Sequence, residues 1–170
     1  MIKPAILYKE EIERKFKEFY YSDDFMYYTG TNESFSIEVT DNCSDYKYEF
    51  AVLSDKDEHL IGYISYTIDW YSSVANRFGI FSFDRGNPIM GKEVTKIISR
   101  LIEEYKLHKI EWRMISGNPV QKSYDALCKK YNGYCHILKD IFKDRMGNYH
   151  DDYIYEIFPN PISDELNKEE

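Results

Sequence analysis

The sequence predicts an α/β domain built around a mixed sheet, and three observations carry that reading. Between residues 48 and 83, β-rich runs are separated by short clusters of turn residues, the pattern of strands joined by hairpins. Beyond Phe83 the apolar pattern switches from strand to helix, returns to strand at 110–115 and switches to helix again at 119–131. Strands separated by helical crossovers can pair in parallel, whereas hairpin strands pair antiparallel, so both kinds of pairing belong in one sheet.

Taken in order, Ile12, Phe16, Phe19 and Tyr20 recur at helical spacing, and Glu11, Glu13, Arg14, Lys15 and Lys17 fill the other side, which predicts an amphipathic helix. An aromatic cluster follows, Phe25, Met26, Tyr27 and Tyr28, closed by Gly30. Phe35, Ile37 and Val39 alternate with Ser36, Glu38 and Thr40, which predicts a half-buried strand. Ser54-Asp55-Lys56-Asp57 turns the run 48–53 into the run 60–70, a hairpin. The run 77–83 predicts the next strand, ended by Asp84-Arg85-Gly86-Asn87-Pro88. Val94, Ile97, Ile98, Leu101, Ile102 and Tyr105 then mark one stripe of a helix predicted to start near Met90 or Gly91. After the strand at 110–115, Ser116-Gly117-Asn118-Pro119 opens another helix, with Pro119 suited to the first helical position and Asn118 to the cap. Two β-rich runs, 135–142 and 149–158, are joined by Asp144-Arg145-Met146-Gly147-Asn148 and predict a closing hairpin. With no internal repeat and no flexible linker, residues 1–159 read as one domain and 160–170 as a polar tail.

Length and composition exclude several function classes. The chain has 170 residues, and a domain of about 150 residues buries roughly 68–70% of its unfolded surface, enough for a core without disulfides or metal. With 43% apolar and 31% charged residues, neither a disordered chain nor a fibre fits. The balance of 22 basic against 30 acidic residues gives a net charge of −8. That argues against a nucleic-acid partner, because such affinity rests on Lys and Arg neutralising phosphates, and it permits a cationic substrate such as an amine. No run reaches the roughly 18 apolar residues of a membrane span, and Met1-Ile2-Lys3-Pro4 opens no signal-peptide stretch. The expectation is a cytoplasmic protein with no membrane partner. Cys43, Cys128 and Cys135 leave an odd thiol, which suits reduced cysteines, and their spacing from His59, His108, His136 and His150 gives no metal-ligand pattern.

The most informative stretch is Phe83-Asp84-Arg85-Gly86-Asn87-Pro88-Ile89-Met90-Gly91-Lys92, a strand that breaks into a Gly-containing loop and at once starts a helix. Amides at a helix start are unpaired and the helix dipole adds positive charge, so such a loop can hold a diphosphate. Gly and Asn also occur in such turns for backbone reasons alone.

The order of elements, this strand–loop–helix, the segment from Asn118 to Tyr124 and the closing Gly147-Asn148-Tyr149-His150-Asp151 strand together resemble the GNAT superfamily of acyl-CoA N-acyltransferases, over roughly residues 5–158. The resemblance implies a twisted, mostly antiparallel mixed sheet of about six or seven strands flanked by helices. It also implies acetyl-CoA as co-substrate, no metal, and a primary amine of a small molecule or peptide as acceptor. In the family's diphosphate loop, Arg85 matches the opening residue and Gly86 the second, while Pro88 and Met90 stand where glycines are usual. The implied cofactor contacts are Phe83, Arg85, Gly86, Asn87, Ile89, Met90, Gly91 and Lys92, with Asn118 positioning the pantetheine arm. Proline offers no N–H to such a loop.

Tyr124 falls at the family's tyrosine that protonates the departing thiolate, a role that suits a phenol. The gap from Asn118 is one residue shorter than usual, and Cys128 replaces a glycine. A packed helix tyrosine is the competing reading. Glu111 and Asp69 are the nearest carboxylates by position for the base and the acceptor side, against solvated or capping roles. Phe25, Tyr27 and Tyr28 fall where the family covers its acceptor pocket, against plain core packing. A homodimer is permitted. Two further readings stand beside the transferase: a catalytically silent module of this fold that binds CoA or a partner, and an interaction protein without cofactor.

Overall fold

Alternation along the strands and the 3.6-residue stripe along the helices sort the side chains onto the two faces of one sheet. The computed structural model describes residues 1–20, 37–40 and 46–160. Its elements run β1 (Ile2–Pro4), a 3-10 turn (Ala5–Tyr8), α1 (Lys9–Tyr20), β2 (Lys47–Leu53), β3 (Leu60–Asp69), β4 (Val74–Ser82), α2 (Pro88–Glu103), β5 (Lys109–Ile115), α3 (Gln121–Lys130), β6 (Tyr134–Lys143) and β7 (Tyr149–Ile157). The seven strands lie in the order β1-β2-β3-β4-β5-β7-β6. Every neighbouring pair is antiparallel except β4 and β5, which α2 connects in parallel.

On one face, Ile12 and Phe16 of α1 pack on Ala51, Leu53, Tyr63 and Phe81 together with Ile37 and Val39. On the other, Ile97, Ile98, Leu101 and Ile102 of α2 pack on Val52, Ile64, Tyr66, Ile68 and Ile110. Each fully buried aliphatic side chain of these layers contributes about 1.5–3 kcal/mol by leaving water. Asn160 closes the second layer: its amide donates to the carbonyls of Ile102 and Leu107, both at 3.1 Å. No described helix is long and apolar enough to cross a membrane.

Several expectations are corrected. The alternation at Ile37–Thr40 is real in burial, with Ile37 and Val39 buried and Glu38 exposed, but this segment carries no strand pairing. Its place is instead fixed by side chains, since Thr40 Oγ1 donates to Glu49 Oε2 at 3.0 Å and Lys9 Nζ to the Val39 carbonyl at 2.8 Å. β1 has no counterpart among the expected strands, because three residues ending in proline carry no periodic signal. β4 starts at Val74 rather than at residue 77, and α2 starts at Pro88 rather than at Met90 or Gly91, because Asn87 caps it. α3 starts at Gln121 rather than at Pro119, the intervening residues forming a turn on Asn118.

Candidate active site

The parallel pair opens almost as soon as it forms. β4 and β5 are in register only at Val74↔Lys109 and Ala75↔Ile110; beyond, β4 continues paired with β3 and β5 continues paired with β7. The facing edges of both strands therefore carry backbone N–H and C=O groups without ladder partners. The local cause is a bulge. The β3–β4 register shifts between Ser65 and Thr67, and Arg77 adopts φ 53° just past the last parallel pair. Thr67 Oγ1, which donates to Asn76 Oδ1 at 2.6 Å, braces the bend. A bulge bends its strand and re-aims the residues beyond it, here turning β4 away from β5.

Beside the opening, β5 presents Trp112. Its ring stacks on Tyr155 of β7, centroids 5.5 Å apart and 5° from parallel, and Tyr124 of α3 meets it edge-on at 5.8 Å. Tyr155 donates to Asp125 Oδ1 at 2.7 Å. The Tyr124 hydroxyl, by contrast, has no hydrogen-bond partner among the described residues, and burial pushes its phenol up to about 12. Trp112 Nε1 is buried and likewise without a partner. Tyr124 thus has its ring fixed by packing and its proton uncommitted.

The loop at the far end of β4 is largely satisfied from within. Asn87 Oδ1 accepts from the Ile89 amide at 3.0 Å, Asn87 Nδ2 donates to Asp84 Oδ2 at 2.7 Å, and the Asn87 amide donates to the Asp84 carbonyl at 3.3 Å. Pro88 takes the first helical position, where its missing N–H is one of the helix's unpaired groups in any case. Met90 is turned inward, its sulfur filling the space beside Gly62. Phe83 packs on Phe19 with ring centroids 5.7 Å apart, and its amide donates to the Ile61 carbonyl. Asp84, Arg85, Pro88 and Lys92 are exposed, as are Gly86, at φ 74°, and Gly91, neither glycine with any atom within 4 Å of where a Cβ would stand.

These features fit an acyl-CoA along the strands and at the glycines. They fit less well at the first helical amides, one absent at Pro88 and one held by Asn87. Asn118 also serves its own turn, its Oδ1 accepting from the Val120 amide at 3.1 Å.

The opposite face of β5–β7–β6 holds the ionic groups. Lys109 Nζ reaches Glu111 at 3.2 Å and Glu156 at 2.6 Å, and His136 Nε2 lies 2.8 Å from Glu156. Glu111 is therefore a paired carboxylate on the side of β5 away from Trp112. Asp152, opposite Ile115 in the ladder, is ion-paired with Arg113 and fully buried, yet its Oδ1 has no partner, nor does Arg113 Nε. Asp152 is absent from the residues singled out by sequence. The signal available was an acid at an inward position of the alternating run 149–158. Asp69 caps the β3–β4 turn, accepting from the Tyr71 and Ser72 amides and from Ser72 Oγ, which holds its carboxyl below the usual range. It stands at the closed end of the β4–β5 pair, apart from the opening. Phe25, Tyr27 and Tyr28 lie outside the described residues. Among the described residues no group of three His, Cys, Asp or Glu side chains could hold a metal ion.

No protein-family profile and no curated protein matches the sequence. Solved structures do. Spermidine/spermine N-acetyltransferase SpeG from Vibrio cholerae superposes with a TM-score of 0.54 at 21% identity, covering 75% of this chain and 72% of that one. The chain has the GNAT fold. A second example of that fold, the ribosomal-protein-S5-alanine acetyltransferase of Vibrio fischeri, superposes with a TM-score of 0.53 at 18% identity, covering 68% of this chain and 63% of that one. The expected mostly antiparallel mixed sheet of about six or seven strands flanked by helices is met in structure, with seven strands.

Proposed function

We propose that the chain is an acyl-CoA-dependent N-acyltransferase, in the simplest case an acetyltransferase for a primary amine of a small molecule or peptide. The observation that carries this reading is the uncommitted Tyr124 hydroxyl beside the parted β4 and β5. An acyl thioester, when bound, supplies the electrophile and a thiolate leaving group. The unpaired edges of β4 and β5 would hold its amide-bearing arm, and Gly86 and Gly91 would let its phosphates approach the backbone. With its phenol at about 12, Tyr124 is fully protonated at neutral pH and donates to the departing sulfur. Of the carboxylates on the opposite face, Asp152 has the oxygen without a partner and is the better candidate than Glu111 to receive the amine proton. Neighbours of the same fold carry names that specify amine acceptors of very different size, which supports the class of acceptor and leaves its identity open.

The engagement of Glu111 by Lys109, of Asp69 by its own turn and of Asp152 by Arg113 favours a second reading, a module of this fold that binds acyl-CoA without turning it over. Calorimetric titration with CoA and thiol release from acetyl-CoA across an amine panel separate the two. Binding with thiol release supports the transferase, binding without release the module. No binding at millimolar CoA removes both.

A further inference from the structure

The turn from α3 into β6 brings two thiols to one cavity. Near the end of α3, the Cys128 carbonyl accepts from the Tyr131 and Gly133 amides, at 3.2 and 2.9 Å. Asn132 between them takes φ 48°, so the chain reverses at once and β6 starts beside the last turn of the helix. Cys135 stands opposite Tyr155 in the β6–β7 ladder, which puts its side chain on the sheet face that α3 covers. Its thiol is in hydrogen-bond contact with the Tyr155 hydroxyl. Tyr155 in turn donates to Asp125, one turn before Cys128 on α3. Cys128 and Cys135 therefore line the same cavity, of about 520 Å³, with Asp125, Lys129, Asn132 and Tyr155. Gly133 keeps it open, since a Cβ at that position would stand 3.1 Å from Cys128 Sγ. Burial pushes the Cys128 thiol up, and the neighbouring Cys135 thiol adds to the push.

The two thiols differ in access, Cys128 being buried and Cys135 exposed. An accessible thiol beside a second, buried one is the arrangement in which the first meets an oxidant and the second resolves the product. We propose that Cys128 and Cys135 are a dithiol that a small-molecule disulfide oxidises to an intramolecular bond, tying the end of α3 to the start of β6. The Cys135 thiolate attacks one sulfur of the small disulfide, whose S–S bond breaks and releases one thiol. The Cys128 thiolate then attacks the Cys135 sulfur of the mixed disulfide and releases the second. The two protein sulfurs lose two electrons, the small disulfide gains them, and the protons of the protein thiols leave on the released ones. Tyr124 lies one turn before Cys128 on the same side of α3, and its ring meets Tyr155 edge-on at 5.9 Å. The bond therefore also fixes the position of the proposed acid, a step that alone rests on the transferase reading.

The bond is read by mass, independently of activity. Cys43→Ser removes the third thiol, and the variant is equilibrated with oxidised and reduced glutathione. The expected product is a single chain lighter by two hydrogens, which trypsin converts to one linked species of peptides 123–129 and 131–139. The fold, not the short separation in sequence, has to supply the proximity. The ratio of bonded to dithiol protein should therefore be about tenfold or more higher in the native protein than in urea with the same buffer. Adding Cys128→Ala should halt the reaction at the Cys135–glutathione adduct. A native ratio at or below the unfolded one overturns the proposal, as does a stable adduct on both thiols or a bond between two chains. With acetyl-CoA and an accepting amine, oxidation should lower turnover by about tenfold or more. Dithiothreitol should restore it, and Cys135→Ser should be insensitive to the oxidant. Equal rates in both states overturn the link to Tyr124 alone, whereas bond formation with no turnover in either state counts against the transferase reading.

Discussion

The side chain of Asn87 occupies the amide of Ile89, at 3.0 Å, at the helix start beside which the proposed function sets a diphosphate. In Asn87→Gly the amide is released, while the helix keeps a residue tolerated at its cap and loses only a few tenths of a kcal/mol there. A hydrogen bond to a charged group contributes about 1.5–3 kcal/mol. Part of that is offset by the freer loop, so CoA should bind the variant about tenfold more tightly, or about 1.4 kcal/mol. Titration calorimetry of both proteins at one salt concentration checks this; weaker binding would mean that the Asn87–Asp84 contact shapes the loop for its ligand.

Tyr124→Phe keeps the ring against Trp112 and Tyr155 and removes the proton. Turnover should fall by roughly 10²–10⁴ with CoA affinity retained. The native phenol ionises only near pH 12 against an ordinary value near 10, so no loss of activity between pH 8 and 10 should trace to it. Because the folded state holds this proton more tightly, its contribution to stability is whole below about pH 10 and is lost as the pH rises toward 12. Tyrosinate absorbance of the native protein minus the variant should therefore appear only at the top of that window. An ionisation near pH 10 would show that Tyr124 is solvated.

The bend that parts β4 from β5 rests on Arg77 in the left-handed region. A β-branched residue there is strongly disfavoured, whereas glycine relieves the strain of about 1–2 kcal/mol and gives back part of it in chain entropy. Arg77→Val should lower the unfolding free energy by about 1–2 kcal/mol relative to Arg77→Gly, read from denaturant midpoints. Equal stabilities would mean that the conformation at this position is not imposed by the bulge.

Glu49 is held by Tyr63, whose hydroxyl donates to Oε1 at 2.6 Å, by Lys47 at 2.9 Å and by Thr40. Burial pushes its carboxyl up, and these partners together bring it below the usual value. Its contribution to stability is thus present above the unfolded value near 4.5 and is lost as the pH falls through the depressed one. Tyr63→Phe should cost about 1–3 kcal/mol at neutral pH and less below pH 4, by thermal melts at both. An equal loss at both would assign the effect to packing.

Where the sequence is readable, it is readable through periodicity. The stripe of Ile97, Ile98, Leu101 and Ile102 and the alternation of Ile110, Trp112 and Met114 fix α2 and β5 because their burial is set by a repeat. The opening of the site is not readable, because it depends on a bulge and one left-handed residue, and Arg77 carries no compositional sign of either. Tyr124, the proposed acid, is singled out by its motif, whereas Trp112 and Asp152 draw attention only through their partners in the fold. The Asn87 cap is hidden for a different reason: the same Gly-Asn-Pro composition serves a ligand-binding loop and a self-capped helix equally well.

With two register pairs between β4 and β5, the sheet behaves mechanically as two plates joined at one corner. One comprises β1–β4 and the other β5, β7 and β6. Amides along the parted edges lack the protection that a ladder gives, and they should exchange with solvent far faster than those on the β3 and β7 sides of the same two strands. A molecule that bridges the gap acts as a clasp between the plates. Its arrival should register in hydrogen exchange along β4 and β5 together, including positions it does not touch.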